Sequence, residues 1–182
     1  MSATPSPDAY TDWLVMLFLV LAKVRREGLM AIESDVDSPE TEGSIFGSMP
    51  QTSQQPYLEF ATDVLRLMVG GNLNAGEMQV YADHAIAGYV ESGVADTCLL
   101  KTIWLTLWAS MNGYAPQVAI QFGRQAIPVP YKPSFFALEE KIKEAKRLQQ
   151  ERIEDDKKPV TLDEAIERFV ESIGGKINAS AE

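Results

Sequence analysis

Residues 22–37 read AKVRREGLMAIESDVD, and the division of this stretch decides how the first helix of the chain ends. A basic run (Lys23, Arg25, Arg26) is followed by Gly28 and then by an acidic run (Glu33, Asp35, Asp37) ahead of Pro39. Upstream, Ser6-Pro7-Asp8 is a helix start: a Ser cap, Pro at the first helical position and an acid in the first turn. The spacing of Trp13, Leu14, Leu17, Leu21 and Val24 then extends one helix to about Ala31. Phe18 and Val20 make it apolar most of the way round, so neighbours are expected on several sides. At roughly 100° per residue, Arg25 and Glu33 lie within about 80° of each other on a continuous helix. They could then present opposite charges to one partner, although a solvated face with no partner carries the same charges.

Residues 34–54 are rich in Ser, Gly, Pro, Glu and Gln and read as a loop, with room for a short turn at Gly43–Met49. Pro56 opens a second helix that Gly70-Gly71 ends. Asn74-Ala-Gly-Glu77 is a capping box for a third, Ala75 to Glu91. Asp96 caps a fourth, Thr97 to Met111, and Pro116 starts a fifth, to about Ala126. Residues 127–133 (IPVPYKP) carry three prolines and are expected to be extended. Ser134 caps a sixth helix, anchored by Phe135, Phe136, Leu138 and Ile142, whose far half is charged all round. Thr161-Leu-Asp-Glu164 is another capping box, opening a short amphipathic stripe through Ile166, Phe169 and Ile173. That stripe would dock on the parent core or on a partner. The fold class is therefore all-α: about six helices in an irregular bundle, plus a tethered C-terminal helix. The division is a helical domain over 1–147 and a linker with its short helix over 148–182.

Composition narrows the function. A net charge of −10 and a pI near 4.6 disfavour a nucleic-acid partner and a polybasic membrane anchor. Cys98 is the single cysteine and His84 the single histidine, so neither an internal disulfide nor an ordinary zinc site can form, and a reducing compartment is expected. The apolar run Trp13–Ala22 is ten residues long, where a membrane span needs roughly 20. Leu99–Ala115 is interrupted by Lys101, Asn112 and Gly113, so both read as core helices. His84 lacks a nucleophile and an orienting carboxylate at readable spacing, Cys98 reads as a small buried hydrophobe, and Trp104 and Trp108, one turn apart, read as core. No phosphate-binding glycine motif or nucleophile elbow is present. The reading is a non-enzyme with no cofactor.

AKVRREG…E, PYLEFATDVLRLMVGGN (56–72), NGYAPQVAIQFGR (112–124) and KPSFFALE (132–139) together resemble the cytoplasmic region of the MotA family, the stator subunits of the bacterial flagellar motor. The likeness covers about Tyr10 to Arg147 and is most specific in NGYAP…FGR…PSF. The resemblance implies a stator-type module that meets a flagellar rotor switch protein or other stator subunits of the MotA/MotB type through charged residues. Arg25, with Arg26 beside it, stands where the family has its basic contact, and Glu33 stands where it has its acidic one. The family's four membrane helices are not visible, and only Ser92–Thr97 stands where the second pair would fall. The chain would then lack a proton path and lie in the cytoplasm, at the inner face of the inner membrane when partners hold it there. The helix before that point reads DHAIA (83–87) where the family often has a dense acidic run. A channel-less relative acting as a regulator or decoy, or a helical adaptor with another partner, is the alternative.

Overall fold

The first helix, α1, spans Pro7–Glu27 in the computed structural model, which describes residues 5–41, 43–47, 55–71 and 74–156. Its start is built as the sequence implies: Ser6 Oγ accepts the Ala9 N–H at 3.2 Å, Pro7 fills the first position, and Asp8 complements the helix dipole. Tyr10, Trp13, Leu14, Met16, Leu17, Phe18, Val20 and Leu21 are all buried, so the helix is covered nearly all round. It packs against α5 (Thr97–Met111), α6 (Pro116–Ala126) and a 3-10 turn at Leu29–Ile32. Trp13 and Leu17 from α1 and Ile103 and Leu107 from α5 lie together in the buried core.

The helix does not run on to Ala31. It stops at Glu27, because Gly28 adopts φ 93° and ψ 166°, a backbone region that a side chain would strain. The Gly28 N–H still closes on the Val24 carbonyl at 2.9 Å, and the chain swings into the 3-10 turn and then a second short helix, α2 (Glu33–Asp37). A turn at Gly43–Gly47 follows, and Phe46 from it is buried in the core.

α3 (Gln55–Gly70) and α4 (Ala75–Glu91) pack on α5. Asn74 and Glu77 form the complete capping box at the start of α4. At the start of α5, Asp96 Oδ1 accepts both the Leu99 N–H at 2.9 Å and the Tyr10 hydroxyl at 3.0 Å, and the Asp96 N–H donates to the Tyr57 hydroxyl at 2.8 Å. One residue thereby ties α1, α3 and α5 together. Among the described residues there is no strand, and no helix is long and apolar enough to cross a membrane.

Two further expectations are corrected after α6. Within the proline-rich stretch, Val129–Tyr131 forms one 3-10 turn, since proline's fixed φ is compatible with a single such turn. The next helix, α7 (Phe135–Asp156), is anchored by Leu138 and Ile142, the two residues of it that are buried among those described. Phe135 and Phe136 are 45% and 76% exposed. Phe136 is two positions from Leu138 and so points some 200° away from it. Contacts divide the chain into one compact unit to Glu144 and a second from Ala145. In the second, the described part of α7 carries an Arg147–Glu151 ion pair at 3.4 Å one turn apart. The capping box at Thr161 and its amphipathic stripe lie outside the described residues.

The contact between α5 and α6 depends on a missing side chain. A Cβ on Gly123 in α6 would run into Thr106 Oγ1 and come within 2.5 Å of the Thr102 carbonyl oxygen, both on α5. Gly88, exposed on α4, has nothing within 4 Å. Gly123→Ala should therefore destabilise by about 1–3 kcal/mol. Gly88→Ala should stabilise by about 0.5–1 kcal/mol through helix propensity. Urea denaturation of both variants checks the opposite signs.

Candidate functional site: the turn at Gly28

The charged residues on either side of Gly28 divide into those that build the turn and those that project from it. Asp35 is only 4% exposed, although it sits in an acidic run. Its Oδ2 accepts from Lys23 Nζ at 2.6 Å, and its Oδ1 accepts the Ile45 N–H at 2.9 Å. The Ser44 hydroxyl donates to the Asp35 carbonyl at 3.3 Å. A carboxylate removed from water needs these partners, and together they fasten α2 to α1 and to the following loop. Arg66 on α3 adds a second brace, donating to the Val36 carbonyl at 2.6 Å and pairing with Asp63 at 2.8 Å and Asp37 at 3.6 Å. Ile32 and Val36 are buried beneath.

What remains is outward. Arg26 is exposed and holds its neighbour Glu27, with Nε to Oε1 at 2.9 Å. Arg25 and Glu33 are exposed and make no hydrogen bond or ion pair among the described residues. Met30, 62% exposed, projects from the 3-10 turn between them. Arg25 and Glu33 therefore do not share one continuous helix, as the sequence spacing suggested. They flank a bend braced by the part-buried Lys23–Asp35 pair. The signal for the burial of Asp35, though not for its partner, was present in the sequence: Ile32, Asp35 and Val36 fall on one helical stripe, which places a carboxylate on the buried side.

Elsewhere among the described residues the titratable side chains stand apart. His84 is exposed on α4. Cys98 is half-buried rather than fully buried, and burial followed by the nearby Asp96 carboxylate pushes its thiol pKa up, away from reactive thiolate. Burial, then Asp96, raises the Tyr10 phenol. Trp104 is buried and its indole N–H donates to Gln79 Oε1 at 3.1 Å, whereas Trp108 is only partly covered. An apolar cavity of about 390 Å³ lies between α4 and α5, walled by Ile86, Val90, Trp104 and Leu105 with Asp83 and Lys101 at its edge. Among the described residues no three His, Cys, Asp or Glu side chains gather as a metal site would require.

The chain is similar to motility protein A of Salmonella typhimurium (strain LT2), 24% identical over 208 residues that take in 74% of this chain and 70% of the relative. It is likewise similar to motility protein A of Escherichia coli (strain K12), 24% identical over 216 residues, 78% of this chain and 73% of the relative. No family model matches the chain, and no solved structure matches it. The first alignment is longer than the chain itself: 74% of 182 residues is about 135, against 208 aligned, so the relative carries roughly 70 residues in the matched region without a counterpart here.

The division of the turn makes a stability forecast. Asp35→Ala strands Lys23 and the Ile45 N–H and should cost about 3 kcal/mol or more. Asp35→Asn keeps an acceptor for Ile45 and should cost less. Arg25→Ala and Glu33→Ala should each stay within about 0.5 kcal/mol of the parent. Chemical denaturation of the four variants tests the ranking.

Proposed function

We propose that the chain is a MotA-like, stator-type module of the flagellar motor that meets a charged rotor partner through Arg25 and Glu33, with Arg26 beside them, and that it is not an enzyme. The observation that carries this reading is the pairing pattern around Gly28. Lys23, Asp35 and Asp37 are engaged within the fold, and Arg25 and Glu33 are left exposed and, among the described residues, unpaired on a braced turn. Similarity to two motility proteins supports the setting. Exposed ion pairs are each worth under about 1 kcal/mol and form fast, which suits a contact that engages and releases repeatedly.

We read the roughly 70 residues that the relative has in excess as the family's second pair of membrane helices. On that reading the chain provides the rotor-facing part of a stator without a proton path, and a MotA/MotB-type subunit would supply the channel. The same shortfall favours a second reading, a channel-less relative that occupies rotor sites and so regulates the motor as a decoy.

A charge swap tests the contact. Arg25→Glu and Glu33→Lys should each weaken binding to a rotor switch protein about 5- to 10-fold at physiological salt. Pairing each with the reversed charge on the rotor should restore it. Parent affinity should fall as salt shortens the screening length below roughly 8–10 Å. Unchanged binding and unchanged swimming in cells expressing the single swaps would end the motor reading. Inhibition of swimming by the parent beside an intact stator would select the decoy.

A further inference from the structure

We propose that the apolar cavity between α4 and α5 is a binding site for a free apolar α-amino acid, held by its ammonium, its carboxylate and its side chain together. The cavity, about 390 Å³, is of a size that takes a small molecule. Ile86 and Val90 from α4 and Trp104 and Leu105 from α5 line it, so these residues share one surface. Trp104 is 2% exposed and Ile86 8%, whereas Asp83, Ala87 and Lys101 are exposed, so an apolar floor lies beneath an open mouth. The walls come from α4 and α5 alone, away from the turn at Gly28, and the case is independent of the rotor reading.

The polar groups of the walls are already served. The Trp104 indole N–H donates to Gln79 Oε1 at 3.1 Å, and Gln79 Nε2 donates to Asp83 Oδ1 at 2.8 Å. Indole and amide therefore ask only apolar contact of a ligand, and the second bond orients the Asp83 carboxylate. The first bond also fixes the register of two helices that a short link makes antiparallel. Asp83 stands four residues beyond Gln79, about 6 Å, and Lys101 three residues before Trp104, about 4.5 Å. The two charges are thus nearly level on opposite walls.

Those charges choose the occupant. Among the described residues no ion pair joins Asp83 to Lys101, and Lys101 makes no hydrogen bond or ion pair elsewhere. No other charged side chain lines the cavity: Glu77, His84 and Glu91 of α4 lie outside its walls, and Asp96 is committed to Tyr10 and Leu99. An anion would meet Asp83 as a like charge, and a cation would meet Lys101 so. A neutral apolar molecule would leave both charges without a partner. A zwitterion with an apolar tail meets all three features, with its ammonium toward Asp83, its carboxylate toward Lys101 and its tail on Ile86 and Trp104.

The test titrates the full chain with L-leucine and L-phenylalanine and reads binding by calorimetry. N-acetyl-L-leucine lacks the ammonium, L-leucinamide the carboxylate, N-acetyl-L-leucinamide both, and glycine the tail. At least one of the two amino acids should bind, and each analogue of it should be weaker by about tenfold or more. Asp83→Asn and Lys101→Gln should each weaken the amino acid similarly, and both side chains are exposed, so the variants should fold. Asp83→Asn should leave the residual affinity for N-acetyl-L-leucine unchanged, since that analogue has no ammonium to lose; a merely structural role would lower both. Ala87→Phe, which fills the mouth, should abolish binding. Val80→Ser, an exposed site on α4 outside the cavity, and Arg25→Glu should change nothing. No heat from either amino acid at millimolar concentration, equal binding of N-acetyl-L-leucinamide, or full affinity in the Asp83 and Lys101 variants would overturn the proposal.

Discussion

A buried carboxylate sets the geometry of the turn at Gly28. Asp35 is held out of water by Lys23 from α1 and by the Ile45 N–H, and these bonds fix α2 against the helix that precedes it. Gly28 allows the chain to turn, but its conformation alone does not choose a direction. The ion pair chooses, because leaving Asp35 unpaired in a buried setting costs several kcal/mol. Arg66 adds a neutral acceptor, the Val36 carbonyl, to its two carboxylates, which extends the brace to α3. Rigidity at this turn follows from charge burial, while the residues available for contact are those that the burial left out.

That sorting explains what could be read in the sequence and what could not. Helix starts were legible because each depends on a local rule: Ser6 before Pro7, Asn74 with Glu77, Asp96 before an apolar run, Ser134 before Phe135. The ends were less so. The apolar spacing through Val24 continues into Leu29 and Ile32, which made one helix to Ala31 the natural expectation. Only the positive φ at Gly28 breaks it, and a glycine inside a helical pattern costs only about 1 kcal/mol, too little to announce a break. Phe135 and Phe136 misled for a related reason. Hydrophobicity proposes burial, but one helix face cannot hold Phe136 and Leu138 together. Candidate contact residues were found by resemblance and by charge, yet the sequence alone did not distinguish Lys23 from Arg25, since the difference lies in contacts 12 residues apart.

Close approach is the second organising constraint. α6 can lie against α5 because Gly123 presents no Cβ to Thr102 and Thr106. Both threonines are buried, and each satisfies its hydroxyl internally: Thr106 bonds the Thr102 carbonyl at 2.9 Å and Thr102 the Cys98 carbonyl at 2.8 Å. Small and back-bonded residues thus let two helices meet at short range without stranded polar groups. The NGYAP and FGR runs, which carry the most specific resemblance, are the C-cap of α5, the Pro start of α6 and this contact. Their residue types answer to packing rather than to chemistry.

The joint between α4 and α5 shows how such a fold can hold its shape with a short connection. Only Ser92–Asp96 link the two helices, and the last of these residues takes on several tasks at once. Asp96 caps α5, accepts the Tyr10 hydroxyl from α1 and donates its backbone N–H to Tyr57 from α3. The first backbone N–H groups of α5 have no preceding helical carbonyl to accept them. A capping carboxylate satisfies one of those donors and opposes the positive end of the helix dipole. The two tyrosines fix this terminus laterally. A short link costs little closure entropy, and these bonds add to the core packing of Ile103 and Leu107 in holding the register of α5 against α1 and α3.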